Sequence, residues 1–145
     1  MPHLTQPLSF GSPIVDLFVG VSEARQQALR QAGQQIPQFQ VARALIDTGA
    51  SGTCIDPSIL NPLGLTPTGT INIQTPSTGG STHQCLQYDV ALGIYHAVIS
   101  KILRTVPVIS TSLSSQGIDA LLGRDVLSQC LLVFDGVAGT LTLAF

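Results

Sequence analysis

Short runs of branched and aromatic residues, broken at close intervals by Pro and Gly, dominate the hydrophobic pattern of this chain. Ile14 to Val21 (IVDLFVGV) reads as a strand, because such side chains suit a pleated, half-buried surface. Residues 22–36 interrupt the pattern. Within Ser22 to Gln35 the apolar residues Ala24, Ala28, Leu29 and Ala32 make only a thin stripe. Ser22 is a candidate helix cap and Gly33 a candidate stop, so this polar insertion is expected to be a short exposed helix or else to continue the strand. Pro37 closes it, and Phe39 to Ile46 reads as the next strand. Thr53 to Ile55, Gly69 to Gln74, His83 to Leu92 and Ala97 to Val108 are strand-like as well, with Pro57, Pro62, Gly64, Pro67, Pro76, Gly79, Gly80 and Gly93 as punctuation. One convincing helix is short, Arg124 to Cys130. After it LLVFD and LTLAF form a hairpin pattern across Gly136 to Gly139. Regular short strands with turn signals predict an all-β barrel or sandwich.

Length and composition narrow the class. The chain has 145 residues, which suits one domain over 1–145 and gives room for a core without metals or disulfides. It is 44% hydrophobic and 10% charged, against roughly 25% charged in an average domain. That balance excludes a disordered chain. A net charge of −2, no basic run and 5% aromatic residues argue against nucleic-acid binding. The longest apolar segment, Ala120 to Phe134, is interrupted by Arg124, Asp125, Ser128 and Gln129, so no membrane span is expected. The N-terminal MPHLTQPLSF lacks the pattern of a signal peptide. Cys54, Cys85 and Cys130 are odd in number and lie in apolar surroundings, which fits buried thiols in a cytoplasmic protein. His3, His83 and His96 are too scattered to form a metal site, and neither a metal nor an organic cofactor is expected.

Two strings carry candidate chemistry. In the first, Ala44-Leu45-Ile46-Asp47-Thr48-Gly49-Ala50-Ser51, an apolar strand runs directly into an aspartate and a tight turn. Gly49 allows the turn and brings backbone N–H groups toward the carboxylate. The Thr48 hydroxyl is a candidate tie for the turn. In the second, Ile118-Asp119-Ala120-Leu121-Leu122-Gly123-Arg124-Asp125, an apolar strand ends at Gly123 and a helix starts at once. Asp125 then suits the positive end of the helix, and Gly123 permits close approach of another backbone.

Together these strings resemble the retropepsin-like aspartic proteases. Leu45-Ile46-Asp47-Thr48-Gly49-Ala50 matches the first motif of that family and Leu121-Leu122-Gly123-Arg124-Asp125 the second, in the same order. The resemblance runs from about Ile14 to the C-terminus, with residues 22–36 as a departure. It implies a closed barrel subunit with a β-hairpin flap and one short C-terminal helix, active as a homodimer. Asp47 would be the catalytic residue, supported by Thr48 and Gly49. An extended peptide would lie against Ala50 and Ser51 and under a flap containing Thr78, Gly79 and Gly80. Gly123, Arg124 and Asp125 would be structural. Terminal strands including Leu141 to Phe145 would join the two subunits, and Thr48 from each would interlock beneath the aspartates.

The mechanism of this family needs two carboxylates that share one proton. This chain has a single Asp-Thr-Gly and no internal repeat, so the second Asp47 is expected from a second subunit. The implied activity is an aspartic endopeptidase working at acidic to mildly acidic pH. The alternative is a dimeric module that holds a peptide in the same cleft without cutting it. Where retroviral members carry acidic residues after the motif, this chain has Ser51 and Gly52. Arg124 therefore lacks the family's partner, and Asp125, Asp56 and a group of the second chain are the candidates.

Overall fold

The computed structural model describes residues 1–74, 79–96 and 99–145. Among the described residues ten strands and three short α-helices, besides two single 3-10 turns, follow in the order β1 (His3–Pro7), β2 (Ile14–Val21), α1 (Glu23–Gln31), β3 (Gln40–Ile46), β4 (Cys54–Ile55), α2 (Pro57–Leu60), β5 (Gly69–Ile73), β6 (His83–His96), β7 (Ile99–Ser110), β8 (Ala120–Leu122), α3 (Arg124–Leu127), β9 (Leu131–Asp135) and β10 (Thr140–Ala144). The main sheet runs β2-β3-β8-β4-β7-β6-β5, and β2 also pairs with β6. That last pairing closes β2, β3, β8, β4, β7 and β6 into a six-stranded barrel, with β5 hairpinned onto β6 outside the ring. Closure removes the open edges a flat sheet would present.

Alternation fills the barrel. On β3 Ala42, Ala44 and Ile46 are buried while Val41 and Arg43 face out. Leu17, Val19 and Val21 from β2, Val90, Leu92 and Ile94 from β6, and Ile55, Val108 and Leu122 meet them inside. Each such side chain taken fully out of water is worth about 1.5–3 kcal/mol. A slip of one residue would turn the whole set outward, so the pattern also fixes register.

The insertion is helical. Ser22 Oγ accepts from the Arg25 N–H at 3.3 Å, and Gly33 takes a positive φ of 66° past the C-terminus. Only Leu29 of α1 is buried, which is why its apolar stripe is thin. Three expectations need correction. The strand from His83 does not stop at Leu92 but continues through Gly93 to His96, because Phe18 on β2 stands opposite Gly93 and covers it. The C-terminal helix covers only Arg124–Leu127, and looser turns continue to Cys130. It is also not the one helix of the core fold: α2 begins at Pro57 behind the cap Asp56.

The N-terminal residues, featureless in sequence, form β1. It pairs with β10, which also pairs with β9, in a second sheet of order β1-β10-β9. Leu4, Leu141 and Leu143 plug this sheet into the main core. Among the described residues no helix is long and apolar enough to cross a membrane.

Candidate active site

The sheet order explains how the two strings meet. β3 and β4 are neighbours in sequence, yet β8 lies between them, parallel to β3 and antiparallel to β4. The loop over residues 47–53 must therefore cross the end of β8, where Gly123 sits. A Cβ on Gly123 would lie 2.6 Å from the carbonyl carbon and oxygen of Gly52 and 3.1 Å from Ala50 O. No side chain fits there, so this glycine lets the loop lie on the strand end.

Hydrogen bonds then fasten the loop to that end. Asp47 N donates to Leu122 O at 3.0 Å, and Arg124 N donates to Ala50 O at 2.9 Å. The Arg124 guanidinium Nη1 donates to Thr48 O at 2.9 Å. Thr53 is fully buried; its Oγ1 donates to Asp125 Oδ1 at 2.8 Å and accepts from Gly123 N at 3.1 Å. Asp125 Oδ2 accepts from Thr53 N at 3.1 Å, and its Oδ1 also accepts from Val126 N at 2.9 Å. Arg124 thus pairs with a backbone carbonyl and not with Asp125 or Asp56, while Asp125 serves Thr53.

The result is one carboxylate held in place. Asp47 is half-buried, and its Oδ1 accepts from Gly49 N at 2.9 Å. Among the described residues nothing donates to its other oxygen. The neighbouring aspartates are differently placed. Asp56 accepts from Ser58, Leu113 and Ser114 N–H groups, Asp119 from Arg43 N, and Asp125 as above. Thr48 is exposed. Its carbonyl is held by Arg124, and among the described residues no hydrogen bond ties the turn through its hydroxyl.

Asp47 lines two adjoining cavities that share Cys54, Ile73 and Leu121. The larger, about 630 Å³, runs between His83–Leu86 of β6 and a wall formed by Ser110–Leu113 and Gln116. The smaller, about 270 Å³, runs along Gly49–Gly52 toward Gln74 and Ile109, so Ala50 and Ser51 border the cleft. Residues of the β5–β6 hairpin border both: Ile73 lines the two cavities, His83–Leu86 the larger and Gln74 the smaller. At the hairpin's turn Gly79 and Gly80 take φ of 61° and 87°, and Gln74 Nε2 donates to Gly80 O at 3.0 Å. Gly79 and Gly80 are not among the residues lining the two cavities. Thr78 lies outside the described residues. Another groove of about 330 Å³ on the barrel surface is lined by Phe18, Phe39, Ala91, Leu92, Gly93, Ile94 and Ile102. With no titratable side chain in its lining, it has no acid–base chemistry to offer.

Cys54, expected as a core residue and not a nucleophile, packs against the small core of Ile14, Leu113 and Ile118 and also borders the cleft. Burial pushes its thiol up to about 11, and Cys85, Asp125 and Asp47 add to the effect. It is therefore a neutral surface at ordinary pH and a poor nucleophile. Thr53 and Asp56 were not legible as site residues. Asp56-Pro57 does carry a signal, a helix cap followed by proline at the first helical position.

An aspartate at a strand end, clamped by a second strand–helix junction and facing a cleft bordered by a hairpin, is the arrangement of an aspartic protease half-site. Residues 35–126, more than half of the chain, match the family model described as aspartyl protease. The chain belongs to the aspartyl protease family and is an aspartic-type peptidase by class. Its fold is similar to that of a retropepsin-like aspartic protease from Rickettsia conorii, with a TM-score of 0.63 at 16% identity, covering 99% of this chain and 91% of that one. No curated protein sequence matches it at a significant level.

Proposed function

We propose that the protein is an endopeptidase that acts as a homodimer, with one Asp47 from each subunit activating the attacking water. The observation that carries this reading is the state of the carboxylate: it lines the cleft, one oxygen is held by Gly49 N–H, and among the described residues the other has no donor. Two such groups brought together cannot both ionise, so the pair shares a proton. The ionised member takes a proton from water, and the protonated member hydrogen-bonds the scissile carbonyl. Thr48 and Gly49 support the aspartate, and the exposed Thr48 is free to meet its counterpart on a second chain. Asp56, Asp119 and Asp125 are tied to donors of their own, which favours a second subunit as the source of the second carboxylate.

The substrate lies extended between the Ala50–Ser51 side and the β5–β6 hairpin, which acts as the flap, and adds to the backbone as a strand. The joining of subunits through Leu141–Phe145 is revised in one respect. β10 already has β1 on one side and β9 on the other, so the second chain meets an outer edge, β1 or β9. Leu131, Val133 and Phe134 on β9 are 46–55% exposed, an apolar strip suited to burial.

The test is hydrolysis of a mixed peptide library between about pH 4 and 7 by wild type and Asp47→Asn, read by mass spectrometry, with sedimentation to measure the oligomer; proton sharing by paired carboxylates sets the acidic window. Cleavage by a dimeric wild type alone is expected. Equal cleavage by both proteins would overturn the role of Asp47, and full activity of a monomer would overturn the dimer.

A further inference from the structure

Asp56 is 4% exposed and lines neither cavity beside Asp47. As the cap of α2 it needs only one bond, from Ser58 N to its Oδ1 at 2.9 Å. Its other oxygen accepts two more, from Leu113 N at 2.7 Å and Ser114 N at 2.9 Å. Both donors belong to the segment that walls the larger cavity. One residue earlier, Ile55 O accepts from Thr111 N at 3.1 Å, so the wall hangs on the chain just beyond the loop that carries Asp47. Leu113 is 1% exposed and sits with Ile14 and Ile118 in a small core of its own, against which Cys54 and Leu121 pack. Cys54 and Leu121 border both cavities. The geometry is a chain of contacts from Asp56 through Leu113 to the floor beside Asp47.

We infer that Asp56 is a positioning residue for substrate: its carboxylate holds the wall of the cleft at Leu113 and Ser114, and so sets which peptide side chain the cleft accepts. The inference rests on the proposed peptidase reading. The side chain selected is bulky and uncharged. Leu113, Leu121, Leu86, Ile73, Cys54 and Cys85 present apolar or neutral surface, and Ser110, Thr111, Ser112, Gln84 and Gln116 offer uncharged polar groups; the ionisable side chains in the lining are Asp47 itself and His83, which stands on the β6 side and not on the wall that Asp56 holds. A buried carboxylate with two backbone donors is a stiff tether, because releasing either donor leaves a charge under-solvated. Burial works to raise the Asp56 carboxyl, but the bonds from Leu113, Ser58 and Ser114 outweigh it and hold it below its ordinary value. The tether therefore stays ionised into the acidic range where a proton-sharing pair works.

The test compares wild type with Asp56→Ser. Serine keeps a good cap for α2 but has no carboxylate to span both wall donors. Amide exchange at Leu113 and Ser114 is measured beside kcat and KM on two peptide series, one with bulky and one with small uncharged side chains. Faster exchange at both amides is expected, with KM for bulky peptides up about tenfold, kcat within about twofold and the preference between series flattened; this is below the roughly hundredfold that a ~1 Å misplacement can cost. Faster exchange with unchanged KM and preference would reduce Asp56 to a cap and overturn the inference. So would a fall in kcat alone. If Asp56→Ser does not fold, Asp56→Asn is used: its one carbonyl oxygen can serve the cap or the wall but not both, amide exchange at Ser58, Leu113 and Ser114 shows which is released, and KM for bulky peptides is expected to rise only with release of the wall amides. Should the wild type bind peptides without cutting them, the proposed activity falls by itself. Dissociation constants for the same two series then decide on Asp56 in the same way.

Discussion

The guanidinium of Arg124 donates to the carbonyl oxygen of Thr48 at 2.9 Å, while its own backbone N–H donates to Ala50 O. One residue thus grips the loop on both sides of Gly49, and the grip bears on the backbone that aims Asp47. Arg124→Ala is expected to lower kcat at least about tenfold, by loosening a preorganised group. Because the side chain is exposed, thermal stability should fall by only about 1 kcal/mol. Arg124→Lys should recover part of the activity, since it supplies charge without the rigid fork. Steady-state kinetics and calorimetry on the three proteins check this.

Gly123→Ala places a methyl group 2.6 Å from the Gly52 backbone, where no rotamer change relieves the contact. The loop must lift from β8. A loss of about 1–3 kcal/mol is expected from overpacking, and activity should drop about a hundredfold because the displaced segment carries the carboxylate. Denaturant unfolding beside peptide hydrolysis separates the two effects.

Acid sensitivity should trace in part to Asp56. Its folded-state carboxyl lies below the ordinary value of 3.8. A group depressed in this way contributes stability above its unfolded pKa and loses it as pH falls through the folded one. The unfolding midpoint should therefore hold through neutral and mildly acidic pH and decline below about pH 4, and Asp56→Ser should show a shallower decline there. A pH series of thermal unfolding curves reads the difference.

Cys54 borders the cleft, yet with its thiol at about 11 it should alkylate slowly at neutral pH and faster as pH rises toward that value. Cys54→Ser should leave hydrolysis dependent on Asp47. Iodoacetamide labelling followed by peptide mapping, with an activity assay on the variant, tests both statements.

Alternation and punctuation were enough to read β2, β3 and the terminal hairpin, because each is set by local pattern; after Ser22 the cap signal pointed to a helix but left a strand continuation open, and the structure decided for the helix. Ile46-Asp47-Thr48-Gly49 and Leu122-Gly123-Arg124 were legible too: a glycine beside a functional aspartate, and one at a strand end, are demands of backbone space that leave a mark in sequence. β1 was not legible. His3–Pro7 has little apolar pattern, and it is a strand only because β10 supplies a ladder and Leu4 a place in the core. The extent of β6 past Gly93 was likewise decided across strands, by Phe18.

The sequence by itself determined the class of the protein, its single candidate carboxylate and the two segments that hold it, since all of these are written in residues a few positions apart. Only the tertiary structure decided the partners. Arg124 turned to Thr48 O, Asp125 to Thr53, and Asp56 to Leu113 and Ser114. Each of these pairs joins residues more than fifty positions apart. Charge and hydrogen-bonding capacity are properties of a residue, but which donor reaches which acceptor depends on β8 slotting between β3 and β4, and no local pattern encodes that placement.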